Sequence, residues 1–96
     1  MNENLKELIL QAVIKETGIT REQIFGGGRA RPICDARNMT MFIMSHRFGI
    51  GVNEISRFIF RNHGTVCKNL KSATDLVTVD RGYRDRVQRI INNITQ

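Results

Sequence analysis

Apolar residues recur every three or four positions along most of the chain, which is the spacing of helices that bury one face. The first such stripe predicts a helix over residues 3–16 and consists of Leu5, Leu8, Ile9, Ala12 and Val13. Gly18 suits the end of this helix, because glycine accepts the left-handed backbone that often follows a helix. Thr20 and Gln23 then fit a capping box, so a short second helix is expected to end near Phe25.

Three consecutive glycines and the only proline of the chain lie together in the segment G-G-G-R-A-R-P, residues 26–32, which predicts one internal loop. A third helix is expected over residues 34–47, with one stripe made of Met39, Phe42, Ile43 and His46. Gly49 and Gly51 are expected to close this helix.

Three further helices are predicted in the second half of the chain. The fourth, over residues 52–59, buries Val52, Ile55 and either Phe58 or Ile59. A tight turn at Phe60-Arg61 leads to a fifth helix that Asn62 caps and whose buried side consists of Val66, Leu70, Ala73 and Val77. Asp80 caps the last helix, in which the inward residues are Tyr83, Val87, Ile90, Ile91 and Ile94. No alternation is long enough for a strand, so we expect one all-α domain of five to six helices over residues 1–96.

The charge balance indicates a polyanion as partner. Fifteen Lys and Arg residues face nine Asp and Glu residues, which gives a formal net charge of +6. Arginine outnumbers lysine, and its planar guanidinium is the better bidentate partner for phosphate and guanine. No apolar run approaches the roughly 20 residues of a membrane span, and the N-terminus has no signal-peptide core, so we expect a cytoplasmic protein without membrane contact.

The sequence gives no support to catalysis, a metal site or a cofactor. Cys34 and Cys67 have no metal-ligand spacing with His46 or His63, and we expect small buried thiols, with a disulfide as the alternative. The glycine segment lacks the lysine-serine ending of a nucleotide-binding loop, and the carboxylates are scattered. We therefore expect a protein that is not an enzyme.

The most informative segment covers residues 51–73. A short helix, a tight turn and a second helix with a polar start are typical of a helix-turn-helix, whose second helix enters the major groove of DNA. Polar residues suit the start of that helix, because the groove presents hydrogen-bond donors, acceptors and thymine methyl groups. On periodicity alone, two helices of a plain bundle remain an alternative.

Three short motifs add a family resemblance. A-R-N-M-T-M at residues 36–41 is similar to A/P-R-Q-x-A-M, V-N-E-I at 52–55 is similar to L-x-E-I, and R-N-H-G-T-V at 61–66 is similar to R-D-H-T-T-V. In these three motifs, and in their order and spacing along the chain, the protein resembles the DNA-binding C-terminal domain of the bacterial replication initiator DnaA. That domain has a Trp repressor-like helix-turn-helix fold. The likeness extends from about residue 5 to residue 94.

The resemblance implies a set of DNA contacts. It places Arg29, together with Arg31 in the same basic loop, in the minor groove, and Arg37 on a guanine in the major groove. It implies a phosphate-side contact for Asn38, which stands where the family has glutamine. The start of the recognition helix supplies further contacts from Arg61, Asn62, His63, Gly64 and Thr65. Apart from the resemblance, Lys68, Asn69 and Lys71 lie along the exposed side of that helix and are expected to meet phosphates. For each of these residues a solvated surface charge, a helix cap or a plain helix-start residue is the alternative.

The chain departs from the family pattern at the recognition helix. Gly64 replaces a threonine that in the family packs on a thymine methyl group, and a glycine inside a helix weakens it by about 0.5–1 kcal/mol. Asn62 replaces an aspartate, and asparagine caps a helix about as well. The turn before Arg61 is one residue shorter than the family's double-glycine turn and holds Phe60, which can rotate the second helix.

These observations predict sequence-preferring binding of double-stranded DNA in replication initiation or its control, by a monomer that meets other replication proteins. Two alternatives stay open, which are a dimeric transcriptional repressor and a protein-interaction module without DNA binding. Full-length initiators of the family also carry an ATPase module and an assembly domain, for which 96 residues leave no room. We therefore expect either a free-standing relative or a fragment of a larger initiator, without ATP hydrolysis of its own.

Overall fold

The computed structural model describes the backbone of residues 2–95 and the side chains of residues 4–95. Six helices form this part of the chain, which contains no strand: α1 (Asn2–Thr17), α2 (Arg21–Phe25), α3 (Arg31–Phe42), α4 (Val52–Ile59), α5 (His63–Val79) and α6 (Arg81–Thr95). A π-helical turn, Ile43–Arg47, continues α3 without a break. The prediction of an all-α fold with five to six helices is confirmed.

The turn between α1 and α2 follows from local capping. Gly18 adopts φ +74° and donates its N–H to the Ile14 carbonyl at 2.8 Å. At the start of α2, Gln23 N donates to Thr20 Oγ1 at 3.1 Å, and Thr20 N donates to Gln23 Oε1 at 2.9 Å. The predicted capping box is therefore confirmed.

The core lies where α1, α3, α5 and α6 meet. Helix α1 packs against α3 and α6, and α3 packs against α5, so α5 rests on a base of three helices. The largest fully buried side chains are Ile9, Leu10, Ile24, Met39, Met41, Ile43, Met44, Ile55, Ile59 and Ile90. This base fixes the position of α5, which is the second helix of the helix-turn-helix.

Helix α3 differs from the prediction at both ends. It begins at Arg31 instead of residue 34, because Pro32 fits the first turn of a helix, where its missing N–H is not needed. At the other end the π-helical turn rotates the later residues, so the placement of His46 on the stripe with Met39 and Ile43 is wrong. His46 is exposed, and its ring stacks on Phe42 with the ring centroids 4.3 Å apart.

The helix-turn-helix consists of α4, the turn at residues 60–62, and α5. Helix α4 has the predicted bounds and buries Ile55 and Ile59, while Phe58 is only half-buried. Phe60 ends α4 at φ 59°, ψ 43° and is the one non-glycine residue with positive φ in the described part of the chain. A residue with a Cβ pays roughly 1–2 kcal/mol for this left-handed conformation.

Caps fix both ends of α5. Asn62 Oδ1 accepts the Thr65 N–H at 2.8 Å, as predicted for the N-cap. At the other end Asp80 donates its N–H to the Leu76 carbonyl at 2.8 Å, and its Oδ1 accepts the Tyr83 N–H at 3.1 Å. A single residue therefore ends α5 and begins α6.

Cys34 and Cys67 are free thiols. Cys34 is half-buried, but Cys67 is exposed, so the prediction that both thiols are buried is wrong. Cys67 follows the buried Val66 on α5 and therefore points outward. Among residues 2–95, none of the six helices combines the length and the apolar composition that a membrane span requires.

Candidate nucleic-acid interface

The first turn of α5 presents polar groups to solvent. Asn62, His63 and Gly64 are exposed, and Thr65 is half-buried. The side-chain oxygen of Asn62 accepts the capping hydrogen bond, and the side-chain amide nitrogen takes no part in the cap. The N–H groups of a first helical turn lack partners within the helix and can bind a phosphate.

One side of α5 continues this exposed turn along the helix. His63, Cys67 and Lys71 follow one another at intervals of four residues, and Lys68 stands beside them. All four side chains are exposed, and His63 Nδ1 lies 3.7 Å from Cys67 Sγ. Asn69 is half-buried and lies off this row. Sequence reasoning missed Cys67, because the residue type counts as apolar and its exposure depends on the rotation of α5.

The glycine loop, residues 26–30, connects α2 to α3 and carries Arg29. Arg29 is exposed, as are Gly27 and Gly28. At Gly26 the backbone turns so closely over α2 that a Cβ would lie 2.9 Å from the Glu22 carbonyl oxygen. Only glycine fits this position without a backbone shift, and the loop presents Arg29 away from the core.

Arg37 holds the glycine loop from inside. Its side chain is only 7% exposed, and its Nε donates to the Ile24 carbonyl at 2.7 Å. Its Nη2 lies within hydrogen-bond distance of three further carbonyls, those of Gln23 (3.2 Å), Gly26 (2.9 Å) and Gly28 (3.3 Å). Burial lowers the pKa of Arg37, and the nearby positive charge of Arg61 lowers it further.

This placement contradicts the expectation that Arg37 contacts a guanine. Its donors are already bound to backbone carbonyls, and its side chain lies almost wholly inside the protein. The guanidinium instead satisfies carbonyls at the end of α2 that have no partner within the helix. The sequence motif singles out Arg37, but it does not reveal that the guanidinium binds backbone carbonyls of the protein.

Arg61 joins the glycine loop to the start of α5. Its Nη1 donates to the Phe25 carbonyl at 3.2 Å, and its Nη2 donates to the Gly26 carbonyl, which also accepts from Arg37. The half-buried guanidinium of Arg61 is therefore turned into the protein, which corrects the expectation that it contacts DNA. The contact places the glycine loop beside the turn that precedes Asn62.

Arg31 and Asn38 lie on α3 instead of on the loop or on α5. Arg31 is exposed in the first turn of α3, and its Nε lies 3.4 Å from Asp35 Oδ1. Asn38 is half-buried one residue after Arg37. The structure thus brings Gly26, three residues before Arg29, next to the turn that leads into α5, and it places Arg31 and Asn38 on α3.

Three phenylalanine rings, of which only Phe60 is exposed, form a cluster that includes the residues on either side of the Arg61 contact. Phe25 meets Phe58 and Phe60 edge to face, with ring centroids 5.7 Å and 5.9 Å apart. The Arg21 guanidinium lies 5.2 Å from the centroid of the Phe25 ring. Phe60 is nevertheless 75% exposed. Sequence reasoning treated Phe60 only as a turn residue, although a large apolar side chain in a tight turn was the available signal.

Comparison with known proteins gives the family. A family model described as "Bacterial dnaA protein helix-turn-helix" matches residues 6–72. The chain is 25% identical over 89 residues to the chromosomal replication initiator protein DnaA of Synechococcus sp. (strain JA-2-3B'a(2-13)), covering 92% of this chain and 19% of that protein. It is 23% identical over 90 residues to the chromosomal replication initiator protein DnaA of Kosmotoga olearia (strain ATCC BAA-1733 / DSM 21960 / TBF 19.5.1), covering 93% of this chain and 20% of that protein. The chain thus spans about one fifth of the length of either relative. Because the family model matches more than half of it, the chain belongs to the bacterial dnaA protein helix-turn-helix family of DNA-binding domains.

Proposed function

We propose that this chain binds a short duplex DNA site with a sequence preference, using two neighbouring grooves. The start of α5 enters the major groove, and Arg29 enters the adjacent minor groove. The observation that carries this proposal is the Arg61 contact, because it holds Gly26 of the glycine loop next to the start of α5. A flexible arginine suits a narrow minor groove, where the negative potential is enhanced.

The exposed groups of α5 divide into two roles. His63 and Thr65, in the first turn, face base edges, where an imidazole can donate and accept hydrogen bonds and a threonine can do the same. Lys68 and Lys71, further along the exposed row, bind phosphates and set the register without carrying sequence information. Asn69, Arg31 and Asn38 are peripheral phosphate contacts in this arrangement.

The family supports a role in replication. Both relatives are named chromosomal replication initiator proteins, and the chain matches about one fifth of their length. We infer that the chain acts on an origin-type site in replication initiation or its control, as a monomer and together with other replication proteins. A dimeric repressor would bind a two-fold symmetric site, so sedimentation of the protein-DNA complex distinguishes the two.

The test begins with selection of bound duplexes from a random pool, followed by fluorescence anisotropy with the selected duplex. The proposed interface contains four exposed cations, Arg29, Arg31, Lys68 and Lys71, which predict a slope of roughly −3 to −4 for log K against log salt concentration. His63→Ala is expected to weaken binding by about 1–3 kcal/mol and to relax the preference at one or two base pairs.

Arg29→Ala removes the proposed minor-groove contact and should also weaken binding by about 1–3 kcal/mol, and Arg89→Ala is its matched control for the loss of a positive charge. Arg89 lies on α6 and pairs with Glu16 of α1, with Nη2 3.1 Å from Glu16 Oε2. The variant should keep nearly the affinity of the wild type. A flat salt dependence, or equal affinity of the wild type and His63→Ala for the selected duplex, would contradict the proposed function.

A further inference from the structure

We infer that Phe60 is a specificity-determining residue, whose ring contacts the C5-methyl group of a thymine in the bound duplex. The inference rests on the proposed function and adds a contact that the polar residues of α5 do not supply. Phe60 combines two properties that are unfavourable in a folded protein, a strained backbone and an exposed aromatic ring.

The backbone gives no reason for a phenylalanine at this position. Phe60 ends α4 in the left-handed conformation, and its N–H donates to the Ser56 carbonyl. Glycine is the usual residue at this place, because it has no Cβ to collide with the backbone. A strained residue that persists is a starting point for a functional hypothesis.

Packing within the protein does not explain a phenylalanine at position 60 either. The ring meets the Phe25 ring edge to face at a centroid distance of 5.9 Å, but the residue is 75% exposed. Burial of apolar surface stabilises a fold only in proportion to the area removed from water, and here most of the area remains exposed. The side chain therefore contributes less to the fold than its size allows.

The position of the Phe60 ring indicates which partner covers it in a complex. Phe60 precedes Arg61 in the chain, and the Arg61 guanidinium binds the carbonyls of Phe25 and Gly26. This contact joins the glycine loop to the start of α5. The ring belongs to the turn that leads directly into α5, the element that we place in the major groove. The formal net charge of the chain is +6, which favours a polyanion as its partner.

The chemistry of the major groove offers one apolar group to such a ring. The thymine C5-methyl group projects into the groove and is recognised by apolar contact, also from phenylalanine. Gly64 leaves the first turn of α5 without a side chain, and a Cβ built there would meet only Asn62 Oδ1, at 3.6 Å. The ring of Phe60 is therefore the large apolar group at this end of α5.

The test compares thymine with deoxyuridine, which lacks the methyl group and keeps the same hydrogen-bonding pattern. Each thymine of the selected duplex is replaced in turn by deoxyuridine, and binding is measured by fluorescence anisotropy. The wild type should lose about fourfold in affinity at one position, the amount that burial of one methyl group provides.

Two variants remove the ring without disturbing the backbone. Phe60→Gly and Phe60→Asn both accept the left-handed conformation, and asparagine controls for the extra flexibility of glycine. Both should bind the thymine duplex about fourfold more weakly than the wild type and bind the deoxyuridine duplex with unchanged affinity. Phe60→Gly should also raise the melting temperature, because it relieves the strain.

Two results would overturn the inference. In the first, either variant keeps the wild-type discrimination between thymine and deoxyuridine at every position. In the second, the variants lose affinity equally for both duplexes, which indicates a contact to sugar or phosphate. His63→Ala separates this failure from that of the proposed function: if it weakens binding and the Phe60 variants do not, only the inference about Phe60 fails.

Discussion

Arg37 and Arg29 lie close together in the chain and have identical side chains, but they face opposite sides of the glycine loop. Arg37 is buried under the loop and donates to its carbonyls, whereas Arg29 is exposed on the outside. Arg61 belongs with Arg37, since its guanidinium also binds the Gly26 carbonyl. The contrast shows that the net charge of +6 overstates the charge available to DNA, because part of it is used to hold the loop.

The reason for the difference is the short helix α2. A helix of five residues leaves the carbonyls of its last turn without partners, and no following helical turn supplies N–H groups to them. The planar guanidinium, with its five donors, can serve several carbonyls at once, which a lysine cannot do. The two inner arginines thus act as the C-terminal cap of α2, and the outer arginine depends on them for its position.

The largest expected effect tests the inner side of the loop. Arg37→Ala should reduce the free energy of unfolding by about 2–4 kcal/mol, because it leaves several carbonyls without a donor. Urea denaturation measures this loss, and Arg37→Lys should not restore the stability, since it lacks the planar fork. If Arg37→Ala unfolds at the same urea concentration as the wild type and loses only DNA affinity, the assignment of Arg37 to the inside is wrong.

The second-largest expected effect concerns Arg29, on the outer side of the glycine loop. Arg29→Ala should leave the urea midpoint unchanged and weaken duplex binding by about 1–3 kcal/mol, measured by fluorescence anisotropy. It removes the same charge as Arg37→Ala, so the pair of variants separates folding from binding. A stability loss in Arg29→Ala would show that the outer arginine also supports the fold.

Asn62 extends the comparison to the start of α5, where another polar side chain is used within the protein. Asn62→Ala removes the acceptor for the Thr65 N–H and should cost about 1 kcal/mol of stability. Asn62→Asp keeps a capping oxygen and is the control, with thermal or urea unfolding as the measurement. Equal stability of all three proteins would show that the cap contributes nothing.

The smallest effect concerns Arg21, an arginine in an exposed ion pair at the far end of α2. Hydrogen bonds from Arg21 and then from Gln11 hold the pKa of Glu7 below its ordinary value of 4.5. A carboxyl group with a lowered pKa stabilises the fold above its unfolded pKa, and this contribution is lost as the pH falls below about 4.5 toward the folded value.

Arg21→Gln should therefore make stability slightly less sensitive to acid in that pH range, and the effect should be small because solvent screens the exposed pair. Urea unfolding at pH 6 and at pH 3 to 4, with and without added salt, measures the difference. High salt should have the same effect as the substitution. An unchanged acid sensitivity in Arg21→Gln would show that Glu7 owes its lowered pKa to other groups.

Local signals were sufficient where a short segment decides the structure. The capping box at Thr20, the cap at Asn62 and the bounds of α4 were correctly predicted, because each depends on residues within one turn. The start of α3 and the exposure of His46 were not, since a proline tolerated in the first turn and a π-helical turn both depart from the regular period. The early start of α3 follows from the tolerance of proline in a first helical turn, whereas the π-helical turn leaves no periodic signal in the sequence.

The candidate site was predictable in composition but not in detail. Motif positions predicted contacts from the start of α5 and from Arg29, which stay predictions, and the structure adds that Arg61 holds Gly26 of the glycine loop next to the start of α5. The inward direction of Arg37 and Arg61 could not be predicted, because it depends on which carbonyls α2 leaves unpaired after folding. Cys67 and Phe60 were missed since their exposure is set by the rotation of α5 and by a left-handed turn.

The single residue between α5 and α6 has a mechanical consequence. Asp80 binds Leu76 through its N–H and Tyr83 through its carboxylate, so the connection has no slack. Helix α5 has 17 residues and is about 25 Å long, and it forms a stiff rod coupled at its end to a second rod. Helix α6 packs against both α5 and α1. A tilt of α5 on DNA is therefore expected to strain the contacts of α6 with α1, since the one-residue connection offers little room to absorb it.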